Sequence, residues 1–209
     1  MTEYAELQQA VDKARIIEVS TVLLCCRDSG DWQRLAECFH PDAHLTTSWF
    51  SGTAADFVKQ SSQMMQSHQP GDTHQHMMSN ARADLNGSRA VCEYYLLLHQ
   101  RRTMDGYEFD FQTWAQCVDL FEKRDGAWRV SKRSNIYEKC RMDPCVPGSV
   151  PPSYFEKMDL PHYPKAMRYH CYRNEKVSGH APTLIVKGSE QEKGVCSEAR
   201  TWLAGHAAS

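Results

Sequence analysis

A chain of 209 residues with a formal net charge of −2 and 41% hydrophobic residues can hold one core and a sizeable appendage. It has no basic run to neutralise phosphates, so nucleic acid is not expected as a partner. The acidic, polar start MTEYAELQQAVDKAR is unlike a secretory leader, and no window approaches the roughly 18 apolar residues of a membrane span. A cytoplasmic protein without membrane contact is therefore expected.

The first element is read from Leu7, Ala10, Val11, Ala14, Ile17, Val19, Val22, Leu23 and Cys26, which recur at three- and four-residue steps. That stripe predicts an amphipathic helix from Glu6 to about Cys26, stopped at Ser29-Gly30. Asp31 suits the N-cap of a short second helix, DWQRLAECF, closed by His40-Pro41. Ser51 to Thr53 open a third, AADFVKQSSQMMQS, which ends near Pro70-Gly71, and AHLTTSWF lies between as an extended piece.

After Gly71 the runs are rich in aromatic and β-branched residues and are punctuated by Asn86-Gly87, Asp105-Gly106 and Asp125-Gly126, each a tight-turn signal. Four long antiparallel strands joined by hairpins are predicted. The class is α+β, a strongly curved antiparallel sheet packed against three N-terminal helices, within a domain spanning 1–140. Residues 141–209 are expected to be a proline-rich C-terminal extension that wraps the surface or crosses the open end of the sheet, with a terminal helix at SEARTWLAGH. The nine cysteines are odd in number and form no CxxC, so reduced, mostly buried thiols are expected.

Within this order, DSGDW after the first helix, His76 to Asn80, and FEKRDGAWRVSKR near the end of the sheet resemble the SnoaL-like branch of the NTF2-like superfamily. Scytalone dehydratase is the nearest enzyme pattern, with hexachlorocyclohexane dehydrochlorinase and polyketide cyclases as relatives. The resemblance covers roughly residues 5 to 138 and implies a cone whose curved sheet encloses an apolar ligand site.

By that resemblance Asp28 orients a histidine base, His76 is the base, and His99 matches a second pocket histidine. Arg133 is expected to point inward and hold a developing oxyanion. The pattern departs where Arg27 and Thr47 replace tyrosines, and where Ala115 and Cys117 replace a serine and an asparagine. Arg27, Thr47, Tyr95, Phe109, Phe111, Cys117 and Asn135 are expected to contact the substrate. Bland readings stand beside these: Asp28 as a helix-end residue, His99 as a structural strand histidine, and Phe109 and Phe111 as an ordinary buried sheet face.

The implied chemistry is proton abstraction beside a carbonyl by an Asp-His pair, giving elimination, isomerisation or cyclisation. A lyase or isomerase acting on a small hydrophobic carbonyl compound in secondary metabolism is the expectation. No cofactor is called for, and His74 and His76 at i and i+2 lack a third ligand for a metal. The alternative is a non-catalytic small-molecule-binding or assembly protein of the same fold. A homo-oligomer, dimer or trimer, is expected.

Overall fold

The computed structural model describes residues 2–179 and 184–205; Met1 and His206, at the edges of the predicted domain and terminal helix, lie outside them. Helix α1 spans Glu3–Ser29, and Gly30 closes it in the left-handed region with its N–H on the Cys26 carbonyl. A side chain there would also meet Met65 Sδ at 3.1 Å. The buried stripe of α1 is Ile16, Ser20, Leu23, Leu24 and Arg27, with Asp12 at its start, whereas Leu7 and Val11 are exposed. Asp12 is buried because it accepts from Lys123 Nζ at 3.0 Å and from Trp128 Nε1 at 2.9 Å.

Helix α2 is Trp32–Glu37, with Asp31 accepting the Arg34 N–H as its N-cap. It ends before His40-Pro41, because Phe39–Thr46 already forms strand β1, whose irregular parallel register on the last long strand accommodates the proline. Strand β2, Ser51–Thr53, leads into α3, Ala54–Gln66, capped by Thr53.

The four predicted strands follow as β3 Thr73–Asn86, β4 Arg89–Met104, β5 Tyr107–Arg124 and β6 Ala127–Pro144. The sheet order is β2-β1-β6-β5-β4-β3, with β1 parallel to β6 and the four long strands antiparallel. Register shifts that leave one extra residue in β3 and two in β6 mark bulges that increase twist and curl the sheet. In β3 the bulge lies between Ser79 and Arg82, where Asn80 adopts φ 54°.

The extension holds more regular structure than its prolines suggest. Strand β6 continues through Cys140 to Pro144, α4 covers Pro152–Glu156, and a 3₁₀ turn at Lys165–Met167 enters α5, Arg168–Ser178. Proline stands at or before the start of each short helix, where its missing N–H and fixed φ cost nothing. Val150, Met158, Tyr154 and Phe155 pack on Met104, Phe109, Phe111 and Met142, covering the long ends of β4 to β6 from the inner face. Strand β7, Ile185–Val186, pairs with β6, and α6, Glu190–Leu203, lays Val195, Ala199, Trp202 and Leu203 on Val91, Val118, Leu120 and Ile136 of the outer face. The chain thus covers both faces of its own sheet.

Deep in the core, Arg133 donates to both oxygens of Asp119, at 2.8 and 2.6 Å, and to the Tyr94 hydroxyl at 2.6 Å. All three are buried. Replacing Asp119 by Ala strands that guanidinium and is expected to cost about 3–5 kcal/mol in urea unfolding. The double replacement Asp119→Leu/Arg133→Met should cost clearly less, because it leaves no unpaired charge.

Candidate active site

Asp28 sits in the last turn of α1, where the helix dipole disfavours a carboxylate, so it needs donors from elsewhere. Edge strand β3 supplies them. The His76 N–H donates to Asp28 Oδ2 at 2.6 Å, and His76 Nδ1 lies 2.5 Å from Oδ1. A carboxylate can only accept, so the proton of this contact belongs to Nδ1, and in the uncharged ring Nε2 carries the lone pair. Nε2 makes no hydrogen bond among the described residues, and the ring retains 15% exposure beside 19% for Asp28. Burial works to raise the Asp28 pKa, but the His76 hydrogen bonds and the nearby imidazoles hold it below the ordinary carboxylate value.

Two residues back on the same face, His74 Nε2 lies 3.4 Å from Asp28 Oδ1 and 3.5 Å from Arg27 Nη1. Burial, reinforced by the Arg27 charge, lowers His74 to about 4, so it is neutral at cellular pH. Arg27 is buried at 8% exposure, with its guanidinium about 6 Å from the Trp32 and Trp49 rings and Nη2 3.6 Å from Met64 Sδ. The position that departs from the tyrosine of the resembled enzyme therefore does face the dyad.

The strand register decides which other candidates join. Residues directly paired across strands share a face. His76 pairs with Leu98, which pairs with Thr113, which pairs with Cys140, so these four face inward together. His99 therefore faces the opposite side, where its Nδ1 lies 3.4 Å from Gln112 Nε2, and it does not meet the dyad. Tyr95 shares that outer face and is 46% exposed.

Arg133 does point inward as expected, but Nε and Nη2 are committed to Asp119 and Tyr94. Tyr94 stands four residues along β4 from Leu98, roughly 13 Å of strand. Cys117 Sγ donates to Asn135 Oδ1 at 3.2 Å beside that network. Thr47 is consumed by a tight turn, its N–H on the Phe50 carbonyl at 2.8 Å. Phe109 stacks on Tyr154 of the extension, with ring centroids 5.6 Å apart, and Phe111 lies under Arg173 at 5.0 Å. Phe109 belongs to the packing beneath the extension, whereas Phe111 is in register with Gln100 and, through it, His74.

The residues that sequence reasoning missed come from that extension and from β4. His170 of α5 is buried against Tyr137, and its Nδ1 is 3.0 Å from Thr113 Oγ1. Burial, with Arg173 beside it, pushes His170 well below the ordinary histidine value. Arg173 reaches across to Gln100, the strand partner of His74. YPKAMRYHCYRNEK carried the signal, charged and aromatic residues at helical spacing, but Pro164 and the prolines before it argued for a coil.

Residues 8–134 match the SnoaL-like domain family. The chain belongs to that family. Similar proteins include a PEP2-like protein of Fusarium vanettenii, 31% identical over 192 residues, covering 86% of this chain and 80% of the relative. Pea pathogenicity protein 2 of the same organism is 29% identical over 209 residues, covering 94% and 87%.

Among solved structures, a hexachlorocyclohexane dehydrochlorinase of type 2 aligns with a TM-score of 0.59 at 17% identity, covering 70% of this chain and 98% of its own. A putative scytalone dehydratase from Novosphingobium aromaticivorans gives 0.54 at 21%, covering 64% and 88%. Such structures share the NTF2-like, cystatin-like fold. This SnoaL-like chain has, among its described residues, no helix long and apolar enough to cross a membrane.

The depressed His74 has a consequence for stability. The unfolded chain binds a proton at His74 between about pH 6.5 and about pH 4 while the folded site, crowded by Arg27, Asp28, His76 and His68, does not. Stability is therefore present above about pH 6.5 and is lost as pH falls towards 4; Asp28 adds a loss only below its unfolded value of 3.8. Urea midpoints at neutral pH and at about pH 5 should differ less for His74→Gln than for the parent protein.

Proposed function

We propose that the protein is a cofactor-independent lyase or isomerase acting on a small carbonyl compound, with His76 as general base and Asp28 as the group that positions it. The observation that carries this reading is the 2.5 Å contact between Asp28 Oδ1 and His76 Nδ1 beside an Nε2 with no partner among the described residues. An imidazole fixed this way presents one lone pair in one direction. The buried carboxylate also stabilises the imidazolium that forms when that lone pair takes a proton.

In the proposed step Nε2 takes a proton from the carbon beside the substrate carbonyl, and the C–H electron pair moves into an enolate. Returned to another carbon, the proton completes an isomerisation. If a neighbouring hydroxyl leaves instead, the imidazolium can supply the proton with which it departs as water, and the sum is dehydration. The names of the solved relatives, a dehydrochlorinase and a putative scytalone dehydratase, agree with base-initiated elimination. A cytoplasmic role in secondary metabolism belongs to the same proposal, as does self-association.

The test works without a named substrate. Incubation with a metabolite extract in deuterated water should place deuterium beside a carbonyl in the compound that is turned over, read by mass spectrometry. His76→Ala is expected to lower that rate about 10²–10⁴-fold, with Asp28→Asn also impaired. Undiminished exchange in His76→Ala removes His76 as the base, and an extract without any enzyme-dependent exchange favours a binding protein.

A further inference from the structure

Three arginines on the inner side of the cone have no carboxylate partner at ion-pair distance among the described residues. Arg27, from the end of α1, is 3.5 Å from His74. Arg102, from β4, donates to His68 Nε2 at 2.8 Å and to the Thr73 carbonyl at 2.6 Å. Arg173, from α5, contacts Gln100, Asn174 and, at 3.5 Å, His170 Nδ1.

These contacts interlock. His68 and His74 are edge to face at 5.2 Å, Gln100 is the strand partner of His74, and Arg102 lies two residues further along the same face of β4 as Gln100. Arg27 is 8% exposed and Arg173 9%.

Elsewhere the chain treats its arginines differently. Arg133, in the same interior, is held by Asp119, and the surface residues Arg101 and Arg124 take Asp110 and Asp42. Around the dyad each guanidinium instead neighbours an imidazole. Asp28 and Asp72 attract Arg27 and Arg102 only from beyond the 4.0 Å of an ion pair, and Asp28 is already engaged by His76. Burial draws all three arginines down, and the Arg102 charge adds to it at Arg27 and Arg173, which fall to about 10. Buried charge without a counter-ion is costly, and a guanidinium fork is shaped to take an oxyanion through two parallel hydrogen bonds.

We propose that Arg27, Arg102 and Arg173 form an anion-binding site beside the Asp28–His76 pair, and that the natural ligand carries a carboxylate or phosphate group held there. As a statement of substrate class it rests on the catalytic reading above; as a binding site it stands apart from it. The C-terminal extension then has a direct part in recognition, since Arg173 arrives on α5.

The experiment is a calorimetric titration at low ionic strength with benzoate, phenyl phosphate and the neutral ester methyl benzoate, alongside thermal unfolding. Benzoate or phenyl phosphate should bind and raise Tm while the ester does neither, and the stronger of the two anions identifies the group. Arg173→Gln and Arg27→Gln should each weaken the anion at least about tenfold, whereas Arg101→Gln on the surface leaves it unchanged. Near-UV circular dichroism checks folding, and Arg102→Gln, on a strand rather than a packed helix, gives the same reading if either variant misfolds.

His76→Ala should keep anion binding, so a failed base leaves this site intact. The proposal falls if neither anion binds, if the ester binds as tightly as benzoate, or if the folded arginine variants retain parental affinity.

Discussion

A carboxylate in the last turn of a helix sits at the negative end of the dipole, and Asp28 is tolerated there because strand β3 brings two donors to it. The backbone N–H and the imidazole of one residue, His76, fill both oxygens. Much of the local architecture serves that junction. Gly30 turns the chain sharply after Ser29, α3 seats Met64 and Met65 against the turn, and the Asn80 bulge bends β3 immediately beyond His76.

The same junction gives the site its electrostatic character. Among the described residues Asp28 is the acid in direct contact with the histidine pair, and His76 takes it. Neighbouring imidazoles stay neutral because burial and adjacent guanidiniums oppose a further proton, while Arg173 and Arg27 end on Gln100 and His74, a strand pair without charge to offer them. A ligand with negative charge would complete this set. The contrast with Arg133 and Asp119 is instructive: a buried arginine meant only for structure receives its carboxylate within the fold.

The helices, the hairpin turns and the Asp28–His76 pair were legible because each rests on local chemistry: caps, Gly-containing turns, and a motif matched at separate positions. Side assignment in the sheet was less so. From the turn at Asn86-Gly87, unbroken pairing would set His76 opposite His99, on one face. The bulge between Ser79 and Arg82 inserts one extra residue in β3, so His76 meets Leu98 and turns inward, away from the face of His99. The choice between Tyr94 and Tyr95 follows instead from the alternation of β4 itself, and Tyr94 is the buried one. A single residue at φ 54° thus decides the face of His74 and His76 on β3, and Asn80 gives only a weak signal of it.

The central claim is that Asp28 holds His76 as the Nδ1–H tautomer with a free lone pair on Nε2. Nitrogen-15 NMR of the labelled imidazole, at a pH where the ring is uncharged, reads this directly. The account predicts a protonated Nδ1 with a downfield N–H proton and an unprotonated Nε2, and loss of that proton signal in Asp28→Ala. A ring protonated at Nε2, or a spectrum unchanged by Asp28→Ala, would contradict it.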